Sequence, residues 1–366
     1  MDLCEQSPSY IRAIAPYQPG KPISELAREM GLDEREIIKL ASNENPLGVS
    51  PRAKAAIERE LAQLSRYPDG NAFDLRAALA RRYGVREEQI VVGNGSNDLL
   101  ELAAGTFLAP GTAAVYAQHT FAVYPLATQA RGAKGIVVPA KNYGHDLPAM
   151  LAAITPQTRV VFIANPNNPT GTFVRGNGLE AFLDRAPKDV AVVLDEAYTE
   201  YLPPESRYDS VAWLKQYPNL IVTRTFSKVY GLAGLRVGFG LMQSPVADLL
   251  NRVRQPFNVN SLALAAAAAA LEDREFVAKS YAMNRAGMAR LEHGLKALEL
   301  ETIPSVANFV SFRVPDAAAV YQKLLRQGVI VRPLAGYGMP DHLRVTIGLP
   351  EENEKFLEAL KTALRN

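Results

Sequence analysis

The chain has 366 residues, 48% of them hydrophobic and 21% charged, and its 40 basic and 38 acidic side chains leave a formal net charge of +2. That balance calls for neither nucleic acid nor an anionic membrane as a partner, and the apolar content is enough to bury a core in roughly two domains of ~150 residues each. The single cysteine, Cys4, excludes an internal disulfide, builds no zinc site by itself and fits a reducing, cytoplasmic setting.

The first ten residues, MDLCEQSPSY, are acidic and polar and lack the apolar core of a signal peptide. Residues 1–45 read as an arm: an extended or turning segment at Tyr17-Gln18-Pro19-Gly20-Lys21, a short helix capped by Ser24 and ended by Gly31, a strand over 37–40, and a turn at Asn43-Glu44-Asn45-Pro46. Two amphipathic helices follow at 51–64 and 72–83, with Arg66-Tyr67-Pro68-Asp69-Gly70 between them.

Short apolar, β-branched runs then recur at 90–92, 113–117, 135–139, 160–164, 190–194, 220–223 and 237–242, with helical segments such as 98–107, 179–185 and 209–217 in the gaps. Strands alternating with helices predict an α/β fold with a seven-stranded, mainly parallel sheet covered on both faces. The last run follows its predecessor after a short connection, and spacing alone leaves its direction open. The longest uncharged apolar run, 262–271, is too short to cross a bilayer and reads as a tightly packed helix.

After Pro256 the pattern becomes α+β. A helical region over 263–298 leads to a strand at 309–314 and a helix at 316–327. Strands at 329–332 and 343–347 and a terminal helix from Glu351 complete it. The expected division is a large domain over 46–257 and a smaller one made of 258–366 with the 1–45 arm.

The residues able to do chemistry gather at strand ends. Gly93-Asn94-Gly95-Ser96-Asn97 follows the first strand of the series and opens a helix, where free N–H groups can hold an anion. It is neither a Walker loop nor GxGxxG, which disfavours a nucleotide-binding dehydrogenase. No stretch is left over for an appended DNA-binding module, which disfavours a regulator. Asn165-Pro166-Asn167-Asn168-Pro169-Thr170-Gly171 follows the fourth strand, and its prolines and glycine stiffen the turn that would aim an amide. Asp195-Glu196-Ala197-Tyr198 ends the fifth, and a carboxylate there needs a partner, whether a helix N-terminus, an arginine or a cationic ring nitrogen.

Thr223 to Gly238 reads TRTFSKVYGLAGLRVG. Lys228 lies at the carboxyl end of a strand, where open α/β sheets keep their ligands, and desolvation would lower its pKa as a Schiff-base lysine requires. The hydroxyls around it and Arg236 suit a phosphate. A lysine, a carboxylate, an amide, a phenol and a phosphate cup together match the needs of pyridoxal 5'-phosphate. His119, His145, His293 and His342 show no metal spacing.

In order and spacing, NPNNPTG, DEAY and TFSKVYGLAGLRVG resemble the fold-type I aminotransferases, and the resemblance covers essentially the whole chain. KPISELARE, KLASNENPLG, RYPDG, ANFVSF and RPLAGYGMPDHLRVTIG resemble, more narrowly, the histidinol-phosphate aminotransferase family. The resemblance implies that Lys228 anchors the cofactor covalently, Asp195 pairs with its ring N–H, and Asn168 and Tyr198 bond its 3'-oxygen. Ser96, Asn97, Thr225, Ser227 and Arg236 would surround its phosphate, with Tyr67 reaching in from a second subunit of a homodimer. Phe121 in HTFAVY takes the place of the ring-stacking aromatic, and this chain departs at His119 and Phe121 from the PTY of many relatives. Arg344 corresponds to the carboxylate-binding arginine. Arg332 and Tyr17 resemble residues that hold the substrate's phosphate, while Asn43 and Asn45 would support the rim.

The implied reaction is a ping-pong transamination between L-histidinol phosphate and 2-oxoglutarate, giving imidazole-acetol phosphate and glutamate. An aromatic amino-acid aminotransferase and an enzyme like the threonine-phosphate decarboxylases remain open on the same machinery.

Overall fold

The computed structural model describes residues 2–365. The arm supplies a first short strand, β1 (Ile38–Lys39). The central sheet is formed by β2 (Ile90–Gly93), β3 (Ala113–Ala117), β4 (Lys134–Val138), β5 (Thr158–Ala164), β6 (Ala191–Asp195), β7 (Leu220–Thr225) and β8 (Gly238–Leu241), in the order β2-β8-β7-β6-β5-β3-β4. β8 runs antiparallel to both of its neighbours, whereas the pairs from β7 through β4 are parallel. Two consecutive antiparallel steps restore the direction, so β2, β3, β5, β6 and β7 all end at one edge. All seven expected strands are present, and the direction left open for the last is antiparallel.

The sheet is apolar on both faces, as crossover helices require. Alternate residues feed two cores: Val92, Val115, Val161, Ile163, Val192 and Val222 on one side, and Val91, Ala114, Phe162, Val193 and Ile221 on the other. Helices Pro51–Glu60, Phe73–Tyr83 and Ser261–Leu271 cover the first face, the last of these packing its alanines closely on the other two.

A four-stranded antiparallel sheet follows, in the order β12-β13-β10-β9, from β9 (Thr302–Ile303), β10 (Phe309–Arg313), β12 (Arg332–Pro333) and β13 (His342–Thr346). Its core of Val310, Phe312, Leu343 and Val345 packs with Leu291 and Leu295 of the helix Arg274–Ala297 and Phe356 and Leu360 of Pro350–Arg365. β11 (Val329–Ile330) leaves this sheet and pairs in parallel with β1, tying the arm to the C-terminal part.

Several local expectations need correction. The helix Ile23–Met30 begins one residue before Ser24, with Pro22 at its N-cap and no side-chain cap, because the proline's fixed φ already suits the first turn; Gly31 ends it in the left-handed region, as expected. The segment 209–217 holds only the turn Ser210–Trp213. The helical region over 263–298 breaks after Leu271, where Asp273 accepts from Phe276 N and caps a new helix. The strand at 329–332 divides between two sheets. β9 and the helix Ser244–Val253 were not anticipated, and Val123–Ala130 and Leu147–Ala152 give ranges to helices expected only generally in the gaps between strands. Among the described residues no helix is long and apolar enough to cross a membrane.

Candidate active site

A cavity of about 170 Å³ opens at the carboxyl edge of the central sheet. It is lined by Ser96, Asn97, Phe121, Asn168, Asp195, Tyr198, Thr225, Ser227, Lys228 and Arg236, together with Ala164, Pro166 and Ala197. Five strand ends deliver these side chains, so residues more than 130 positions apart in sequence share one space.

Lys228 is partly buried just beyond β7. Its Nζ donates to the Ser42 carbonyl at 3.1 Å and lies 5.6 Å from the centre of the Tyr198 ring. Desolvation, reinforced by the Arg344 charge, pulls the Lys228 pKa down to about 8.

Asp195 ends β6 and is buried. It accepts at Oδ2 from the Tyr124 hydroxyl at 2.9 Å and at Oδ1 from Thr223 Oγ1 at 3.4 Å. Burial lifts its pKa to about 6, with those hydrogen bonds pulling the other way. It has no ion-pair partner among the described residues. A buried carboxylate that faces a cavity and has no ion-pair partner is ready to pair with a cation.

Arg236 donates to Ser227 Oγ at 3.2 Å and to the Ala233 carbonyl at 3.0 Å. Opposite it the helix Ser96–Phe107 begins, with its free N–H groups. Gly95 is required between them: its φ is +78°, and a Cβ there would sit 2.6 Å from Arg236 Nη2. Thr225 Oγ1 accepts from Ser227 N at 3.0 Å and holds the intervening turn. Guanidinium, hydroxyls and helix N-terminus make an anion cup.

Arg344, on β13, is buried and reaches across to the NPNNPTG turn. Its Nη1 donates to Asn168 Oδ1 at 2.5 Å and its Nη2 to the Ala41 carbonyl at 2.8 Å, and the guanidinium lies 5.0 Å from the Phe309 ring. Its Nε has no partner among the described residues. Asn167 ties the same turn to the end of β3, its Nδ2 donating to the His119 carbonyl at 2.9 Å.

The remaining expected residues lie around this cavity rather than in it. Asn43 is buried behind Tyr198, its Nδ2 donating to the Tyr198 hydroxyl at 2.9 Å. Burial pushes that phenol's pKa up to about 12. Asn45 donates to the Val229 carbonyl and Ser280 Oγ, bracing the lysine loop. Arg332 donates to the Gln18 carbonyl at 2.7 Å and to the Tyr17 hydroxyl at 3.3 Å, closing the arm over a separate apolar cavity of about 490 Å³. Tyr67 is 83% exposed and stacks on Phe257 with ring centres 4.8 Å apart.

Two residues escaped the sequence reading. Tyr124 is the buried donor to Asp195, and the period of its helix gave no sign that its hydroxyl had a polar target. Tyr337 crowds Tyr17 from the 335–337 turn, and its carbonyl accepts from His119 Nδ1 at 2.6 Å. A carbonyl can only accept, so His119 carries its proton on Nδ1 there. Asn43, His119 and Arg236 have φ of 56°, 54° and 57°, backbone strain of the kind that gathers at sites. His145 donates Nε2–H to the Ala164 carbonyl at 2.8 Å, a structural role. No group of three metal-ligating side chains occurs among the described residues.

The edge of a mainly parallel sheet carrying a desolvated lysine, a buried carboxylate and an anion cup is the arrangement of an aminotransferase. The model of the family "Aminotransferase class I and II" matches residues 35–360, and the chain belongs to that family. Histidinol-phosphate aminotransferase 2 of Nitrosospira multiformis is 64% identical over 365 residues, covering 100% of this chain and 93% of the relative. Histidinol-phosphate aminotransferase 1 of Dechloromonas aromatica is 63% identical over 364 residues and covers 100% of both. The crystal structure of histidinol-phosphate aminotransferase from Sinorhizobium meliloti in complex with pyridoxal-5'-phosphate superposes with a TM-score of 0.89 over 98% of each chain at 26% identity. Within the aminotransferases, the chain is a member of the histidinol-phosphate aminotransferase family.

Proposed function

We propose that the chain binds pyridoxal 5'-phosphate and moves an amino group from L-histidinol phosphate to 2-oxoglutarate, as a homodimer. The observation that carries this reading is the convergence of Lys228, Asp195, Asn168, Tyr198 and Arg236 on one cavity. The residues fit the cofactor: an amine of lowered pKa, a buried anion without a cation, and a cup for an anion. Lys228 would hold the carbonyl carbon, Asp195 the ring N–H, and Asn168 and Tyr198 the 3'-oxygen. Phe121 would lie against the ring, and Ser96, Asn97, Thr225, Ser227 and Arg236 would bind the phosphate, with Tyr67 of a second copy.

When bound, the cofactor supplies an electron-withdrawing ring that accepts the electron pair left at the substrate's α-carbon. The protein does the rest. With its pKa near 8, a substantial fraction of Lys228 is neutral at physiological pH, and its Nζ, once displaced by the substrate's amine, could take the proton from the α-carbon and deliver it to the cofactor carbon on the far side of the amino nitrogen. Asp195 is mostly ionised above its pKa of about 6 and holds a proton on the ring nitrogen. Arg344 receives the carboxylate of 2-oxoglutarate in one half-reaction and the phosphate of the amino donor in the other, its planar fork suiting both. Arg332 of β12 and Tyr17 of the arm, already bonded to each other, would add contacts to the donor's phosphate.

The chain divides, on this reading, into a large unit over 46–257 and a small one from 1–45 and 258–366. The separate central and four-stranded sheets, each packed on its own apolar core residues, support the division, and the packing of Ser261–Leu271 on the core of the large unit favours a border at the Glu272–Asp273 turn. Glutamate formation should be followed with histidinol phosphate, phenylalanine and threonine phosphate as donors. Histidinol phosphate is expected to lead by kcat/KM. A clear preference for phenylalanine would turn the assignment to an aromatic aminotransferase, and release of carbon dioxide from threonine phosphate would turn it to a decarboxylase.

A further inference from the structure

Tyr124 is a tyrosine where packing needs only a phenylalanine. It is fully buried in the helix Val123–Ala130, and its ring stacks on Phe162 with centres 4.8 Å apart and planes 6° from parallel. Phe121 meets the same ring edge-on at 5.9 Å. Against Phe162 and the neighbouring Leu99, Ala127 and Val193 a bare ring would fill the space. A hydroxyl placed there must find an acceptor or cost the fold its desolvation. The acceptor it finds is Asp195 Oδ2, at 2.9 Å.

We propose that Tyr124 is a positioning residue for transamination: its O–H fixes Asp195 as an anion and orients Oδ1 toward the ring-nitrogen position. The inference rests on the reading of Asp195 as the partner of the cofactor's ring nitrogen. Three features support it. The bond goes to an ionisable acceptor, the class of hydrogen bond that contributes most. The side-chain donor to the other oxygen, Oδ1, is Thr223 at the longer distance of 3.4 Å, which leaves room there for a stronger donor. Tyr124 and Thr223 bond different oxygens of Asp195, the first from a helix and the second from β7, so the carboxylate is held at both oxygens.

The other groups near Asp195 do not supply a second side-chain O–H or N–H of this quality. The Ala197 N–H bonds the carboxylate, Glu196 next to it opposes its charge, and Tyr198 and the Lys228 amine act on it only through space. Tyr124 keeps its own proton, because burial and the Asp195 charge push its pKa well up. It is therefore a donor throughout the working range and never a competing anion.

The test is Tyr124→Phe in the cofactor-loaded enzyme, with Asp195→Asn beside it. Loss of one hydrogen bond to a charged group should lower kcat by about tenfold while both KM values stay within about twofold. An activity-independent readout is the pH titration of the cofactor's visible absorption. A ring nitrogen held less firmly as a cation withdraws fewer electrons from the Schiff base, so its titration midpoint should rise in Tyr124→Phe and rise further in Asp195→Asn. The urea midpoint of the apo form reports whether the fold is kept. A folded Tyr124→Phe enzyme with unchanged kcat and unchanged spectral midpoint overturns the role of Tyr124. Full activity in Asp195→Asn instead overturns the reading of Asp195 on which it rests.

Discussion

The amine of Lys228 donates to the carbonyl of Ser42 at 3.1 Å, joining the end of β7 to the arm that lies 186 positions earlier in the chain. That contact parks the amine in the cavity under partial desolvation, with its pKa near 8. A neutral amine is the nucleophile and the base the reaction needs. Lys228→Ala should therefore lose nearly all turnover and the yellow, borohydride-reducible adduct, while still binding the cofactor's phosphate through Arg236. Absorption spectra before and after borohydride check this, and full activity in the variant would sink the assignment of Lys228.

The same groups should shape the stability of the apo protein. The folded pKa of Asp195 is raised to about 6, so the native state binds the extra proton and stability falls as pH rises from about 4 through 6. Lys228 is shifted the other way, to about 8, so its cost is present below that pH and is relieved between about 8 and 10.5. Asp195→Asn should consequently stabilise the apo protein at pH 7, by as much as about 2–3 kcal/mol from a shift of two pKa units. The gain should vanish below pH 4. Urea unfolding of apo wild type and variant across pH 4–9 measures it; a gain independent of pH would point to packing instead.

The two arginines near the small sheet should separate kinetically. Arg344 is buried and hydrogen-bonded to Asn168, where either substrate must meet it. Arg332 is held by Tyr17 and Gln18 at the arm, where only a longer, phosphate-bearing donor would reach. Arg344→Lys should raise the KM for both histidinol phosphate and 2-oxoglutarate by about ten- to a hundredfold, since a bidentate fork is lost. Arg332→Gln should raise the first and leave the second nearly unchanged. Separate KM determinations decide it, and equal effects of Arg332→Gln on both substrates would remove Arg332 from donor recognition.

Much of this was legible because parallel sheets write themselves plainly. Runs such as Val160 to Ala164 and Leu220 to Val222 are apolar throughout, having both faces buried, and their ends fall at a single edge. Once Lys228, Asp195 and Asn168 were placed at such ends, their convergence followed from topology. Tyr124 was hidden because nothing in a helix's period distinguishes a buried hydroxyl that has a target from a ring that merely packs. Tyr337 was hidden because its place depends on a turn's backbone and on His119 from another unit. The break at Glu272 was masked by helix-forming residues on both sides, and only the cap at Asp273 marks it.

Tyr67 presents the last case, because one chain leaves it without a site. It is 83% exposed, and Leu61, Leu64, Phe73, Val253 and Phe257 are also exposed large apolar residues of the same two segments, 61–73 and 253–257. Apolar side chains left bare in this way favour cover by another surface, and closed two-fold symmetry makes a second copy the simplest cover. If Tyr67 serves the partner's cup, each site takes Tyr67 from one copy and Lys228 from the other. Tyr67→Ala and Lys228→Ala should each be impaired at limiting cofactor, yet dissociating, mixing and reassociating them should restore activity. The mixed dimer then holds one doubly damaged site and one intact one. If instead Tyr67 acts within its own chain, both sites of the mixed dimer carry a lesion and mixing restores nothing. Activity after reassociation, compared with each variant treated alone, distinguishes the two arrangements.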